Sequence, residues 1–361
     1  MASLIDYLTK GSQIFFISWK TRIKPKRYHG TADEICRQIV KECWNGRYFQ
    51  VSKQNFQEFW TRDFGWCLQS LVKLGYQKEI HHTLRYALNR FKSNRKITTT
   101  INSKGKPFDF PTMAVDSLPW LIHSIKISNF PYLSFQSFLN QQIKSFYEQF
   151  INKHTGLVKP EQHFSSMKDF SVRKSSCYDN SMVALLAKHL KTLKLVNPFN
   201  NFDYPELLKR HFWNGNFFYD DLSKQDYVAG DANLFPFLFG LIKDQEMLES
   251  AIKAVQDNQL DTPFPLKYTT SRDKIKFILE EKLVMKNYES HAIWTHMGLL
   301  FIKLVKQLDK EKAKEYKQAY QEMIEREQGF IEVLTAKGKP FKTWFYYADR
   351  GILWACNYLT L

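Results

Sequence analysis

Six stretches of the chain set aromatic rings beside carboxylates and arginines. They are QNFQEFWTRDFGW (54–66), PFDFPTMAVDSLPW (107–120), HFSSMKDFSVRKSSCYDNS (163–181), YVAGDANLFPF (227–237), NYESHAIWTH (287–296) and FIEVLTAKGKPFKTWFYYADRG (330–351). Such stretches are poor packing material and good sugar-binding material. A pyranose face stacks on a ring, while carboxylate and guanidinium groups hydrogen-bond its hydroxyls. All six fall at breaks between regular elements, where binding residues concentrate, and together they read as one composite site.

The elements that must bring them together are helices. Apolar residues recur at helical spacing over 33–43, 62–74, 77–91, 115–128, 135–152, 180–193 and 204–212, and again over 231–242, 245–256, 289–308, 310–328 and 344–359, with almost no strand-like alternation. Gly (14) and Pro (12) are sparse in a chain of 361 residues, which disfavours a loop-rich all-β architecture. No Pro/Gly/Ser-rich linker divides the series, so one domain is expected over 31–361, preceded by an extension over 1–30. A dozen helices without a sequence repeat of fixed period argue against a solenoid and for a closed, all-α (α/α)6 toroid.

Several function classes are disfavoured. The five cysteines (36, 43, 67, 177 and 356) form no CxxC pair and are odd in number, so neither a zinc site nor a disulfide framework is expected, and a reducing, cytoplasmic setting fits. His291 and His296 are five apart, unlike a metal-binding pair on one helix face, and no metal or organic cofactor is expected. The apolar stretches 14–19, 232–242 and 292–302 are too short to cross a membrane. The net charge of +16 is spread along the chain without a nucleic-acid-binding motif, so a Lys-rich surface is the simpler reading. There is no P-loop, no GxGxxG and no nucleophile elbow, and the two GKPF segments read as turns.

Trp60-Thr61-Arg62-Asp63 resembles the W-x-R-D element that opens an early helix in the six-hairpin, (α/α)6-barrel glycosidases. That superfamily includes glucoamylases, trehalases, processing α-glucosidases and the α-1,6-glucosidase part of debranching enzymes. Further elements follow in the same order. Val115-Asp116-Ser117-Leu118-Pro119-Trp120 looks like the Asp-containing start of a later inner helix. Ser166-Met167-Lys168-Asp169 and Tyr178-Asp179-Asn180-Ser181 are similar to the general-acid loop and the helix after it. Ile293-Trp294-Thr295-His296 looks like the late Trp-centred motif, and Glu332 ahead of Gly338-Lys339-Pro340 looks like the general base. The sequence departs from the pattern in reading SMKD at the acid loop and in having Val333 directly after the Glu.

The resemblance implies a glycoside hydrolase that removes glucose from an α-glucan or α-glucoside with inversion, acting on an oligosaccharide or polysaccharide. Such chemistry needs one carboxylic acid to protonate the leaving oxygen and a carboxylate on the opposite ring face to activate water. Asp169 and Glu332 are the implied acid and base, with Trp60, Arg62, Asp63, Asp116, Tyr178, Asp179 and Trp294 as substrate ligands. Asp179 is the alternative acid and Glu289 the alternative base. Each also has a plainer role available: Asp116, Asp179 and Asp231 as helix caps, Glu289 as a first-turn glutamate, and Arg62 with Asp63 as a structural ion pair. A sugar isomerase on the same barrel would need His or Tyr as proton carriers. A non-catalytic carbohydrate- or polyanion-binding protein would need neither carboxylate, and the polyanion binder would show steep salt dependence.

Overall fold

Two kinds of helix are written into the sequence, and they separate in space. The computed structural model describes residues 4–361, with side chains from Thr9 onward. Its helices are α1 (Leu4–Ile23), α2 (Ala32–Cys43), α3 (Thr61–Lys73), α4 (Gln77–Ser93), α5 (Ser117–Ile127), α6 (Gln136–Phe150), α7 (Cys177–Leu190), α8 (Tyr204–Phe212), α9 (Phe235–Leu238), α10 (Gln245–Asp257), α11 (Leu279–Val284), α12 (Thr295–Leu308), α13 (Lys310–Glu327) and α14 (Ala355–Tyr358). Residues 117–125 of α5, 177–187 of α7 and 295–302 of α12 are buried on every side. A helix apolar all round belongs inside a core. By contrast, α13 buries one stripe, Ala313, Tyr316, Tyr320, Met323 and Ile324, and shows its charged face to solvent.

The inner helices pack in sequence order. α3 packs on α5, α5 on α7, α7 on α9, α9 on α12, α12 on α14, and α14 returns to α3. The amphipathic helices lie outside them, with α4 against α3, α6 against α5, α8 against α7, α13 against α12 and α2 against α14. Close approach needs glycine at two places. A Cβ on Gly65 of α3 would stand 2.6 Å from the Trp120 ring of α5, and one on Gly298 of α12 would stand 2.0 Å from the Tyr320 hydroxyl of α13.

Four of the outer helices are capped by side chains, while α4 and α6 are not. Thr31 and Glu34 form a capping box on α2, and Asp203, Asp244 and Asp309 accept the N–H groups of Glu206, Met247 and Lys312. Inner helices α3, α5, α9, α12 and α14 start without a side-chain cap. Their entry segments are the aromatic and acidic stretches, whose side chains point elsewhere. Short ladders fix those segments: β1 (Phe59–Trp60) pairs with β2 (Thr100–Ile101), which pairs with β3 (Pro107–Phe108), while β4 (Ile293–Trp294) pairs with β5 (Val333–Leu334). The register sets Trp294 opposite Val333, which brings the Trp294 motif to Glu332.

Two sequence expectations are corrected. The helix expected over 344–359 shrinks to α14, because the buried Asp349 carboxylate accepts the N–H groups of Asn55 and Arg350 and the Ser52 hydroxyl, replacing helical bonds. The helix expected over 231–242 shrinks to α9, since Gly230 donates its N–H to the Tyr268 carbonyl and Asp231 turns into an ion cluster. α1 docks through Lys10, buried and 2.7 Å from Glu58, and through Ser18, whose hydroxyl accepts the Tyr347 N–H at 3.1 Å.

Candidate active site

Arg62 and Asp63 sit in the first turn of α3, but they do not pair with each other. Arg62 forks onto Asp116, with Nη2 3.2 Å from Oδ1 and Nε bonded to Oδ2. The Tyr178 hydroxyl donates to the same Asp116 Oδ2 at 2.7 Å and accepts the Trp120 indole N–H at 3.1 Å. Asp116 is fully buried, so its position at the start of α5 is spent on aiming Arg62 and not on capping. Asp63 accepts the Trp354 indole N–H at 3.0 Å. Burial, opposed by Arg62 and Trp354, pushes its carboxyl up to about 7.

Arg62, Asp63 and Trp354 line a cavity of about 340 Å³. Trp60, Arg62, Asp63, Asp169, Trp294 and Glu332, expected from the sequence to share a site, all line it. Asp116 and Tyr178 stand one layer behind, against Arg62. Asp179 also lies off the lining, where it accepts the Ser176 hydroxyl at 2.7 Å within the start of α7, and burial raises it to about 6. The indole N–H groups of Trp60 and Trp66 and Nδ1 of His296 are buried without a protein partner on this cavity. Buried polar atoms of that kind are normally satisfied, so they mark positions for ligand hydroxyls or water. Trp66 and His296 stack face to face, centroids 4.0 Å apart. Burial and the Arg62 charge hold the imidazole well below its ordinary range, hence neutral.

Asp169 lies on a loop anchored from two sides. Its side chain, 27% exposed, accepts the Ser165 hydroxyl and lies 3.9 Å from Arg62 Nη1. Burial raises its carboxyl, with Arg62 and Ser165 pulling the other way. Glu289 holds the loop backbone: its carboxylate accepts the N–H groups of Asp169 and Phe170 and, at 2.9 Å, the Ser171 hydroxyl. Burial, reinforced by the nearby Asp169 charge, pushes Glu289 up to about 8. Behind the loop, fully buried Lys168 meets Asp220 at 2.9 Å and Asp231 at 3.2 Å, and Arg173 meets the same two carboxylates at 3.5 and 3.0 Å. The lysine of SMKD therefore anchors the loop from below.

Glu332 directly precedes β5 and is buried. It accepts the Tyr346 hydroxyl, the Tyr288 hydroxyl at 3.2 Å and the Asp349 N–H at 3.0 Å. Burial outweighs these donors and lifts the carboxyl to about 8. Tyr288, Tyr346 and Trp354 were not among the expected site residues. The signals for them were present but weak: Tyr288 adjoins Glu289, and Tyr346 lies in the aromatic block after Pro340. Trp354 carried no sequence signal beyond its residue type. Among the described residues no group of three or more His, Cys, Asp or Glu side chains could hold a metal ion, and no helix is long and apolar enough to cross a membrane.

The fold is that of known glycosidases. The structure is similar to a rhamnosidase from Klebsiella oxytoca with rhamnose bound (TM-score 0.63, 10% identity), covering 91% of this chain and 62% of that one. It is similar to a glycosidase in complex with glucose (TM-score 0.65, 9% identity; 97% and 96% covered). It is also similar to a mannosylglycerate hydrolase from Thermus thermophilus in complex with Tris (TM-score 0.57, 9% identity; 91% and 98% covered). No family model matches the chain, and no curated protein matches it in sequence. At these identities the likeness is one of fold, that of the (α/α)6-barrel glycosidases.

Proposed function

We propose that the protein is a glycoside hydrolase that releases glucose from an α-glucoside with inversion, Asp169 acting as general acid and Glu332 as general base. The observation that carries this reading is the joint presence of the two carboxyls on one aromatic-walled cavity that also presents Arg62 and Asp63 to a ligand. The bond broken is between the anomeric carbon and the leaving oxygen. Asp169 gives its proton to that oxygen, Glu332 takes one from water, and the hydroxide equivalent attacks the opposite ring face. Solvent then returns both groups to their starting protonation.

The surroundings suit these roles. Three donors converge on Glu332 and pull toward the carboxylate form a base requires, against the burial that lifts it to about 8. Asp169, partly open to the cavity on a loop pinned by Glu289 and Lys168, is placed to meet a leaving group. The fold likeness supports the hydrolytic class, and the glucose specificity rests on the W-x-R-D resemblance. The hydroxyls of Tyr288 and Tyr346 are engaged with Glu332, which favours the hydrolase over an isomerase using a phenol as proton carrier.

Leaving-group dependence tests the assignment. Asp169→Asn should lose at least about 100-fold in kcat/KM on an alkyl α-glucoside and retain much more activity on an aryl glucoside whose phenolate leaves without protonation. Glu332→Gln should be equally inactive on both. Equal losses for Asp169→Asn on the two substrates would remove Asp169 from the acid role.

A further inference from the structure

The lining of the cavity is of two chemical kinds. One is polar and aromatic, with Arg62, Asp63, Glu332 and the tryptophans. The other is contributed by Ile14 of α1, Val284 of α11, and Phe110, Met285 and Phe345, all apolar. The charged lining residue on these elements is Glu280, which is exposed. A second sugar ring could stack on Phe110 or Phe345, but apart from Glu280 these side chains offer its hydroxyls no hydrogen-bonding partner.

The acid loop is tied to this apolar wall. The Val172 N–H donates to the Lys276 carbonyl at 2.8 Å and the Ile278 N–H to the Phe170 carbonyl at 2.9 Å, and Ile278 leads directly into α11. A general acid protonates the leaving oxygen, so the leaving group lies beside Asp169, whose loop is bonded to the segment entering α11. The apolar surface also continues out of the cavity. Phe15 contacts the rings of Phe345 (5.8 Å), Trp344 (6.5 Å) and Phe16 (5.8 Å), and the Trp344 indole N–H reaches the Leu283 carbonyl at 3.4 Å. Phe16, Leu283 and Trp344 are 67%, 64% and 65% exposed. A contiguous apolar strip of this kind marks a binding surface.

We propose that this vestibule receives the aglycone of the substrate, and that the aglycone is an apolar alkyl or aryl group, not a further sugar of a glucan. The proposal rests on the hydrolase reading and replaces the oligosaccharide or polysaccharide expected from sequence with a glycoside of a hydrophobic alcohol. Methyl, butyl and octyl α-D-glucopyranosides, kept below micelle-forming concentrations, would be compared by kcat/KM on wild type and by calorimetric Kd on Glu332→Gln. The same alkyl series on rhamnose and mannose would be run in parallel. Each methylene covered by the wall multiplies affinity about fourfold, so octyl should exceed methyl by at least about tenfold in both readouts, for whichever sugar binds. Ile14→Asp and, as a milder change on α11, Val284→Asp should each collapse that octyl-to-methyl ratio, with folding checked by thermal unfolding. An octyl-to-methyl ratio near one, or a ratio that survives both aspartates, overturns the proposal. Turnover without chain-length dependence would sink the vestibule and leave the hydrolase standing. A chain-length gain in binding without any turnover would do the reverse.

Discussion

Burial and hydrogen bonding pull Glu332 in opposite directions, and the balance sets a pH dependence. Burial raises the carboxyl to about 8, while Tyr346, the Asp349 N–H and Tyr288 each hold the ionised form. A general base must be ionised to work, so kcat/KM should fall as the pH drops below the Glu332 value. Tyr346→Phe removes one of the donors that lower that value. The acid limb should then move to higher pH by about one unit, the equivalent of one hydrogen bond to a charged group. A limb that stays in place would mean that Glu332 is not the group being titrated. At this scale the sequence was legible in one respect: Arg62, Asp63, Asp169, Trp294 and Glu332, singled out by type and spacing, line one cavity. It was opaque where a side chain serves another side chain: nothing in the linear order shows that Arg62 is aimed by Asp116 and Tyr178 instead of pairing with its neighbour Asp63.

Among the elements, the loop carrying Asp169 depends most on buried charge. Lys168 and Arg173 share Asp220 and Asp231, and Tyr227 adds a hydroxyl to Asp220 at 2.6 Å. Lys168→Met keeps the volume but leaves two buried carboxylates on one arginine. Removing one partner from such a cluster costs about 3–5 kcal/mol. A lower urea midpoint with unchanged slope should report that loss, with kcat falling alongside as the loop loosens; an unchanged midpoint would deny the cluster its anchoring role. Helix periodicity located α4, α8, α10 and α13 to within a residue or two because each is amphipathic. It failed over 344–359 and 231–242, where apolar residues recur at the right spacing but Asp349, Asp231 and Gly230 commit the backbone to other partners. Period alone cannot see a carboxylate that takes over the N–H groups of a helix.

At the scale of the whole molecule, the ring of inner helices gathers segments from 60 to 354 onto one cavity, and α1 covers part of its wall. Among the described residues, α1 is held there by the buried ion pair of Lys10 with Glu58, by the Tyr347 N–H donated to Ser18, by Arg22 donating to the Tyr346 carbonyl and by the ring contacts of Phe15. Lys10→Met should leave Glu58 buried without its cation, detach α1 and speed tryptic cleavage after Lys20 or Arg22 several-fold while the remainder stays intact. Cleavage at the wild-type rate would show that α1 is held by other contacts. The central claim, however, concerns the two carboxyls across the cavity. It is tested most directly by following the anomeric proton signals of the released sugar by NMR during the first minutes of α-glucoside hydrolysis. The account predicts β-glucose as the first product from wild type and no product from Glu332→Gln. An α-product, or undiminished release by Glu332→Gln, would contradict it.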